Sequence, residues 1–406
     1  MKTTRLIAKF AGKVTVVILL IFLTFVFAMF QGGFASWFLF YSFMPFGLYS
    51  LFISIYPVQF FTVSRKVNQS QFTAGESLKA TITITRRLPF LPLLYVIVED
   101  ELPMGLRYGS QSQRPKAMMF PWFKKTIKLE YVLDAIPRGE HQLTHVRIKT
   151  GDLFGLVEKE GLFELKNTVL VYPSYVDIAY RQLENRYDQG STSSKTKLIR
   201  DTTIAVGVRE YQPGDRFSWI DWKASARRNT FMTKEFEQQQ SHQVAVIIDR
   251  SDSQSRVIFE QVVVLTASIV KAISRHGAQM SFVSVGKDQF VTDVNHSESH
   301  QQQVFYHLAK VQPDNPFFSA SIESEVSKWQ QGMTLIFVTS QLTDAFVKTI
   351  EYLSHRQYHI VVLVILPKQN PSKETIKKIE QLKHKHIFIK AVMEGQYADA
   401  FHEVSR

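Results

Sequence analysis

Residues 14–64 of this 406-residue chain contain no Asp, Glu, Lys or Arg. So long a run without charge leaves few folding solutions. Within it, residues 14–30 and 37–56 are apolar. A helix needs ~20 apolar residues to cross a hydrocarbon core, and about 17 suffice. Gln31-Gly32-Gly33 and the residues to Ser36 read as a short turn between them. The pattern predicts a two-helix transmembrane hairpin. Pro45 and Gly47 are expected to bend its second helix, which lipid tolerates where neighbours satisfy the freed carbonyl. A signal peptide also begins with basic residues before an apolar run. Here, however, no small-x-small cleavage site precedes the second run, which is itself an anchor. Lys2, Arg5, Lys9 and Lys13 precede the first helix and Arg65 and Lys66 follow the second, while the turn carries no charge. The excess of positive residues on the cytoplasmic side then puts both termini in the cytoplasm. Trp37, Tyr41 and Tyr56 are candidate interface anchors. The hairpin contains no buried charge of the kind transport uses.

Beyond the hairpin the composition is that of a globular protein. The absence of cysteine excludes disulfides, thiolate metal sites and a cysteine nucleophile. The net charge of +12 raises the question of nucleic acid. Most basic residues alternate with acids, and no recognition helix, zinc-finger spacing or RNA-binding aromatic motif occurs, so no nucleic-acid partner is expected. The densest basic excess runs from Arg114 through Lys116, Lys124 and Lys125 to Lys128, around Met118, Met119, Phe120, Trp122 and Phe123. Two readings fit it: a solvated β-loop with a few packed aromatics, or a surface that dips into an anionic membrane beside the anchor.

Residues 57–182 show strand-like alternation, as in 78–85, 94–98 and 127–132, punctuated by Gly75, Pro103-Met104-Gly105, Pro137-Arg138-Gly139 and Gly151-Asp152. Short strands at this spacing predict an all-β, immunoglobulin-like sandwich. Residues 183–242 comprise a polar linker and a dense segment. The latter reads Arg209-Glu210-Tyr211-Gln212-Pro213-Gly214-Asp215, followed by Trp219-Ile220-Asp221-Trp222-Lys223-Ala224-Ser225-Ala226. Pro213-Gly214 suits a type II turn, and Asp215 can cap the residues after it. Trp219 and Trp222, at i and i+3, are expected to pack inward from one helical face.

The dense segment resembles the signature of a bacterial membrane protein family known as domain of unknown function 58. Arg138-Gly139-Glu140 and Gly151-Asp152-Leu153-Phe154-Gly155-Leu156 are similar to upstream patterns of that family, with Leu153 where proline is common. The resemblance covers nearly the whole chain. It implies a bacterial cell-membrane location and a partnership with a MoxR-type AAA+ ATPase, and it implies no established molecular activity. Arg209, Tyr211, Pro213, Gly214, Asp215, Asp221, Trp222 and Lys223 are the signature residues. Two roles are open to them: joining domains, or forming a partner-binding surface.

Residues 243–406 alternate apolar runs at 244–248, 280–285, 334–339, 359–366 and 387–392 with amphipathic helices, the pattern of an open, mainly parallel α/β sheet. The first run ends in Asp249-Arg250-Ser251-Asp252-Ser253. This resembles the metal-ion-dependent adhesion site of von Willebrand factor type A domains, which implies Mg²⁺ held by Asp249, Ser251 and Ser253. One carboxylate and two hydroxyls at a strand end are ligands a hard cation accepts. The later ligands are less well matched. Residues 314–319 lack the expected threonine, and Ser340 stands where an aspartate is expected, with Asp344 displaced. The alternative role for Asp249 and Ser251 is capping the next helix. His296-x-Glu298-x-His300 and His384-x-His386 read as surface histidines. No P-loop, G-x-S-x-G, G-x-G-x-x-G or H-E-x-x-H motif occurs.

The expected function is that of a non-enzymatic, membrane-anchored cytoplasmic interaction or scaffold protein. It would be an adaptor for a MoxR-type ATPase in envelope protein maturation or stress response. The alternative is a metal-assisted hydrolase at the membrane surface, for which Asp215 and Asp221 are the carboxylates available in the dense motif.

Overall fold

The computed structural model describes residues 2–109, 115–178, 205–212, 215–236, 243–295, 297–329, 332–366, 373–385, 387–393, 395–397 and 400–401. Two compact units emerge, residues 1–174 with 305–311 and residues 175–304 with 312–406.

The first unit begins with helices α1 (Lys2–Gln31) and α2 (Phe34–Ile55). The turn between them is shorter than expected: Gly32 sits at φ +58, and α2 begins after Gly33, whose N–H donates to Ser36 Oγ at 3.1 Å. Gly47 sets the contact between the helices, because a Cβ there would lie 2.7 Å from Ile21 Cγ1. A small residue at the seam lets two helices approach closely. Pro45 lies within α2, which runs on as one helix. Residues 12–31 and 34–55 are long and apolar enough to cross a membrane and are only 11% and 17% buried. A third helix, Arg256–Arg275 of the second unit, meets the same criteria but is 61% buried, so its apolarity serves a protein core.

The strands of the first unit are β1 (Thr62–Val67), β2 (Gln71–Thr73), β3 (Leu78–Thr85), β4 (Val96–Glu101), β5 (Lys116–Met119), β6 (Thr126–Leu133), β7 (Gly139–Gly151) and β8 (Glu158–Tyr172). The short helix α3 (Met104–Gly109) lies between β4 and β5. They form a three-stranded sheet, β1-β3-β6, and a five-stranded sheet, β2-β8-β7-β4-β5. Pairing is antiparallel except between β2 and β8. Alternation puts every second residue of β3 and β4 inside. Ile82, Ile84, Ile127 and Leu129 of one sheet share a core with Val96, Val98, Val146 and Ile148 of the other.

A polar network crosses this core. Arg65 of β1 donates from Nε to Asp100 Oδ2 (2.9 Å) and from Nη2 to Asp100 Oδ1 (2.6 Å). Its Nη1 reaches the carbonyls of Leu143 and Leu165 at 3.0 and 3.1 Å. Tyr131 of β6 donates its hydroxyl to Asp100 Oδ2 at 2.5 Å. Both side chains of the ion pair are 0% exposed. Burial raises the Asp100 carboxyl above its ordinary range, and the Arg65 charge opposes that shift. Arg65 therefore belongs to the sandwich core and is not a charge displayed at the membrane flank.

The second unit starts with strands β9 (Ala205–Glu210) and β10 (Met232–Phe236), an antiparallel pair, with α4 (Trp222–Arg228) between them. There follow β11 (Val244–Ile248), α5 (Arg256–Arg275), β12 (Met280–Val285), β13 (Gln289–Val291), α6 (Glu298–Lys310), α7 (Phe318–Val326), β14 (Thr334–Thr339), α8 (Asp344–His355), β15 (His359–Leu366), α9 (Lys373–His384) and β16 (Phe388–Met393). The sheet order is β13-β12-β11-β14-β15-β16, parallel except for the edge strand β13. Four strands fall on the residues expected from sequence, and β16 is displaced by one. Strands β11 and β14 are buried at every position, as in a sheet covered on both faces.

Removing one member of a buried ion pair leaves the other charge uncompensated. Arg65→Met should therefore lower unfolding stability by about 3–5 kcal/mol. Arg65→Met combined with Asp100→Leu should recover much of that loss. Denaturant titration of the detergent-solubilised full chain measures both, and equal losses in the single and double variants would count against the network.

Candidate functional site

Three places gather the residues singled out by sequence. The first is the loop between β7 and β8. Gly151 has no room for a side chain, since a Cβ would lie 2.4 Å from the Tyr95 hydroxyl and 2.7 Å from the Val157 carbonyl. This crowding delivers Asp152, 2% exposed, to α2. Asp152 Oδ2 accepts from Ser50 Oγ (2.8 Å) and Oδ1 accepts from Val157 N (3.0 Å). Phe154, two residues on, meets Phe46 of α2 edge to face at 5.5 Å. The motif thus fastens the sandwich to the second helix.

The second place is the signature segment. Arg209 and Asp215 pair at 2.7 Å, and Asp215 Oδ2 accepts from Gln212 N at 3.0 Å. Asp215 therefore closes its own turn. Asp221 is the cap of α4, accepting from Ala224 N at 2.9 Å. Ser225 ties α4 to β10: its Oγ donates to the Asp221 carbonyl and accepts from Met232 N at 2.8 Å. Pro213 and Gly214 lie outside the described residues.

The expected inward packing of Trp219 and Trp222 from one helical face does not form: Trp219 is half-buried and Trp222 is exposed. Trp219 ends a 3₁₀ turn (Phe217–Trp219), and Trp222 opens α4 on the far side of the Asp221 cap. The helical i, i+3 relation therefore does not hold between them. Trp222 is 66% exposed and Phe231 and Phe217 are also exposed. Trp222 meets Phe231 edge to face at 6.4 Å, Tyr211 stacks on Phe217 at 6.0 Å, and Arg216 lies over Trp219 at 5.4 Å. Lys223, Arg227 and Arg228 are exposed on α4. The result is two aromatic pairs, Tyr211–Phe217 and Trp222–Phe231, the second beside the exposed basic residues of α4.

The third place is the end of β11. In the sheet order, β11 and β14 are neighbours whose following connections run to opposite sides, the switch point where open α/β sheets bind ligands. Asp249 immediately follows β11 and Thr339 ends β14. Asp249 Oδ1 accepts from Ser251 N (2.9 Å) and Ser251 Oγ (2.5 Å), and Oδ2 accepts from Thr339 Oγ1 (2.5 Å). Burial drives the Asp249 carboxyl up, and the donations from Ser251 and Thr339 oppose this. Ser253 faces the other way, donating to Gln341 Oε1 at 2.8 Å.

Thr339 is the partner that sequence reasoning missed. Residues 314–319 lack the threonine of the type A pattern, and there Asp314 pairs with buried Arg250 at 2.8 Å and Asn315 accepts from Asp252 N through its carbonyl. A hydroxyl ending a buried strand beside the one that leads into Asp249 was the available signal.

The oxygen donors here, one carboxylate and several hydroxyls, are of the type a hard cation takes. Two buried oxygens, Gln254 Oε1 and Ser340 Oγ, make no hydrogen bond among the described residues. In chemical type the set suits Mg²⁺ with a single charged ligand, Asp249, but Ser251 Oγ is bonded to Asp249 and Ser253 Oγ to Gln341, so both hydroxyls would have to turn to reach an ion. Among the described residues no cluster of three His, Cys, Asp or Glu side chains could hold a metal. His300 is a correction to the surface reading: it is 7% exposed and bonded to Thr292 Oγ1 at 2.8 Å. His384 is exposed, and His296 and His386 lie outside the described residues.

Residues 207–373, from the signature segment through β15, match the family described as "Protein of unknown function DUF58". A Bacillus subtilis (strain 168) protein described as "Uncharacterized protein YeaD" is 39% identical over 338 residues, covering 82% of this chain and 84% of that protein. Likenesses among solved structures are slight. The sporulation control protein Spo0M of Bacillus subtilis gives a TM-score of 0.12 at 9% identity, covering 27% of this chain and 49% of that one. Cwp6 of Clostridium difficile gives 0.17 at 11% identity, covering 84% and 56%.

The raised Asp249 carboxyl has a pH consequence. The folded state holds that proton more tightly than the unfolded chain, whose Asp titrates near ~3.9. Its contribution to stability is complete below that value and is lost as pH rises through the folded value. The stability of the wild type relative to Asp249→Asn should therefore fall as pH rises from acid to neutral. Thermal melts of both full-length proteins across that range measure it, and a pH-independent difference would contradict the assignment.

Proposed function

The chain belongs to the family of proteins of unknown function DUF58, and from that footing we propose that it is a membrane-anchored adaptor, not an enzyme. The α1–α2 hairpin anchors it in a bacterial cell membrane with both termini cytoplasmic. The signature segment is its docking face. In this reading the sandwich is immunoglobulin-like and the α/β sheet is of von Willebrand factor type A kind. The observation that carries the proposal is the exposed Trp222–Phe231 pair, with Lys223, Arg227 and Arg228 exposed on the helix that Trp222 opens.

Large aromatics and arginines are the residues on which interface energy concentrates. Rigid support matters as much, because a side chain already held in place loses little freedom on binding. The Asp221 cap and the Ser225 bridge to β10 supply that support. The basic residues of α4 select a partner with an acidic face and speed encounter with it. The partner proposed is a MoxR-type AAA+ ATPase, which would supply the energy while this protein supplies location. The process served would be envelope protein maturation or stress response.

The β11–β14 switch point is proposed as an accessory to docking. Mg²⁺ held by Asp249, Ser251 and Ser253 would supply a coordination position for a partner carboxylate. The chain's own part is to keep the Asp249 loop closed through Ser251 and Thr339.

The test uses the full chain. Crosslinking from position 222 in native membranes should recover an AAA+ ATPase of the MoxR type, and recovery of no AAA+ ATPase overturns the reading. With the purified pair, Trp222→Ala should weaken binding by roughly tenfold or more, as expected of a hot spot losing over ~1.4 kcal/mol. Arg227→Glu with Arg228→Glu should mainly slow association and remove its salt dependence. Mg²⁺ should raise the melting temperature of the wild type and leave Asp249→Ala unchanged.

A further inference from the structure

We propose that three loops of the sandwich form a second membrane-contact surface, a collar beside α2 that lies in the headgroup and upper acyl region of an anionic leaflet. This rests on the reading of α1 and α2 as membrane-spanning. Residues 86–95, 118–125 and 151–156 make up the collar, and bonds to the end of α2 fix its level. Tyr49 donates its hydroxyl to the Pro92 carbonyl (3.4 Å) and accepts from Leu94 N (3.1 Å). Tyr56 donates to the Leu88 carbonyl (3.3 Å), while Ser50 and Phe46 hold Asp152 and Phe154. Buried Arg86 ties two of the loops together, donating to the carbonyls of Leu91, Trp122 and Lys124. The loops are thus held beside the stretch of α2 from Phe46 to Tyr56.

What they present outward is apolar. Phe90, Phe120, Trp122, Phe123, Leu153 and Phe154 are all exposed, Phe90 at 67% and Phe123 at 60%. This display continues the exposed apolar face of α2 at Phe46 and Phe52. The charges complement an anionic leaflet: Arg87, Lys124 and Lys125 are exposed, and the one acid in the three loops, Asp152, is buried against Ser50. Trp122 adds a backbone argument. Its φ of +50 is an outlier for a bulky residue. Paired bonds with Leu93 (3.0 Å each way) clamp it there with the ring 55% exposed. Strain of this kind persists where surrounding structure enforces it and marks functional positions. An indole held at the boundary is also the residue membranes concentrate at that level. Between α2 and the 86–95 loop lies an apolar cavity of about 340 Å³, bordered by Leu48, Tyr49, Phe52, Leu91 and Pro92. It provides a slot for an acyl chain of a phospholipid whose headgroup meets the lysines.

The absence of cysteine makes the test direct, since Phe123→Cys, Val132→Cys and Leu23→Cys each create one thiol for a nitroxide label. Val132 lies towards the far end of β6, roughly 20 Å from Thr126 at ~3.4 Å per strand residue. Full-length labelled protein is placed in nanodiscs of phosphatidylcholine alone or mixed equally with phosphatidylglycerol. Paramagnetic resonance then reads accessibility to oxygen, which enriches in lipid, and to a nickel chelate, which stays in water. The Leu23 label should be deep and the Val132 label wet in both discs. The Phe123 label should lose nickel accessibility several-fold relative to Val132 and gain oxygen accessibility, more so with phosphatidylglycerol. Lys124→Glu with Lys125→Glu should abolish that lipid preference. A Phe123 label as wet as Val132, with Leu23 deep, overturns the proposal. So does a label shielded from both reagents, which would indicate coverage by protein. A wet Leu23 label would instead refute the membrane-spanning hairpin itself.

Discussion

The sandwich closes around one buried charge. Arg65 enters from the three-stranded sheet, and its partners Asp100, Leu143 and Leu165 belong to the five-stranded sheet. Tyr131 returns the connection to the first sheet through the same carboxylate. Apolar contacts alone would tolerate sliding between two alternating faces. A bidentate arginine with its remaining donors on named carbonyls does not, because a slip would strand a buried charge. Arg65 stands ten positions after the last residue of α2. The register it fixes therefore also determines where the loops facing α2 emerge, and hence where Asp152 and Tyr49 find their partners.

That residue also illustrates what the sequence conceals. As the first charge after a long uncharged run, Arg65 reads as a membrane-flanking positive residue. Flanking position and burial are independent, and only the tertiary fold brings Asp100 opposite it. The strands of the α/β unit were legible because strands buried on both faces read as continuous apolar runs of defined length. The two helices were legible because so long an uncharged, apolar run leaves few alternatives to a helix of membrane-crossing length. The orientation of Trp222 was not, because i, i+3 spacing implies a shared face only when no helix boundary intervenes, and Asp221 is such a boundary. Thr339 escaped for a related reason: its bond to Asp249 joins strand ends 90 residues apart.

The candidate cation site follows a similar logic. A lone buried carboxylate must be satisfied, and hydroxyls from its own loop and from β14 do so. The same oxygens that stabilise the closed loop are those a cation would recruit, so binding an ion must compete with bonds already formed. Such competition favours a weak, conditional site that a partner's carboxylate could complete, over one that holds metal throughout the protein's life.

Two surfaces of this chain combine exposed aromatics with basic residues, and composition alone does not separate their roles. Context does. The collar of Phe90, Trp122 and Phe123 is bonded to a helix that is long and apolar enough to cross a membrane, and its loops expose no acid. Its aromatic display continues that helix's own. The patch around Trp222 belongs to a unit whose long apolar helix, α5, is used up in the core, and it is built on a capped helix braced to a strand. A fluid leaflet takes any outward-facing apolar side chain at the right depth, so it requires level more than shape. A protein partner requires shape, which the Asp221 cap and the Ser225 bridge supply at Trp222. The collar continues a membrane-length helix and the patch does not, and on that difference rest the two proposals, lipid for the first and protein for the second.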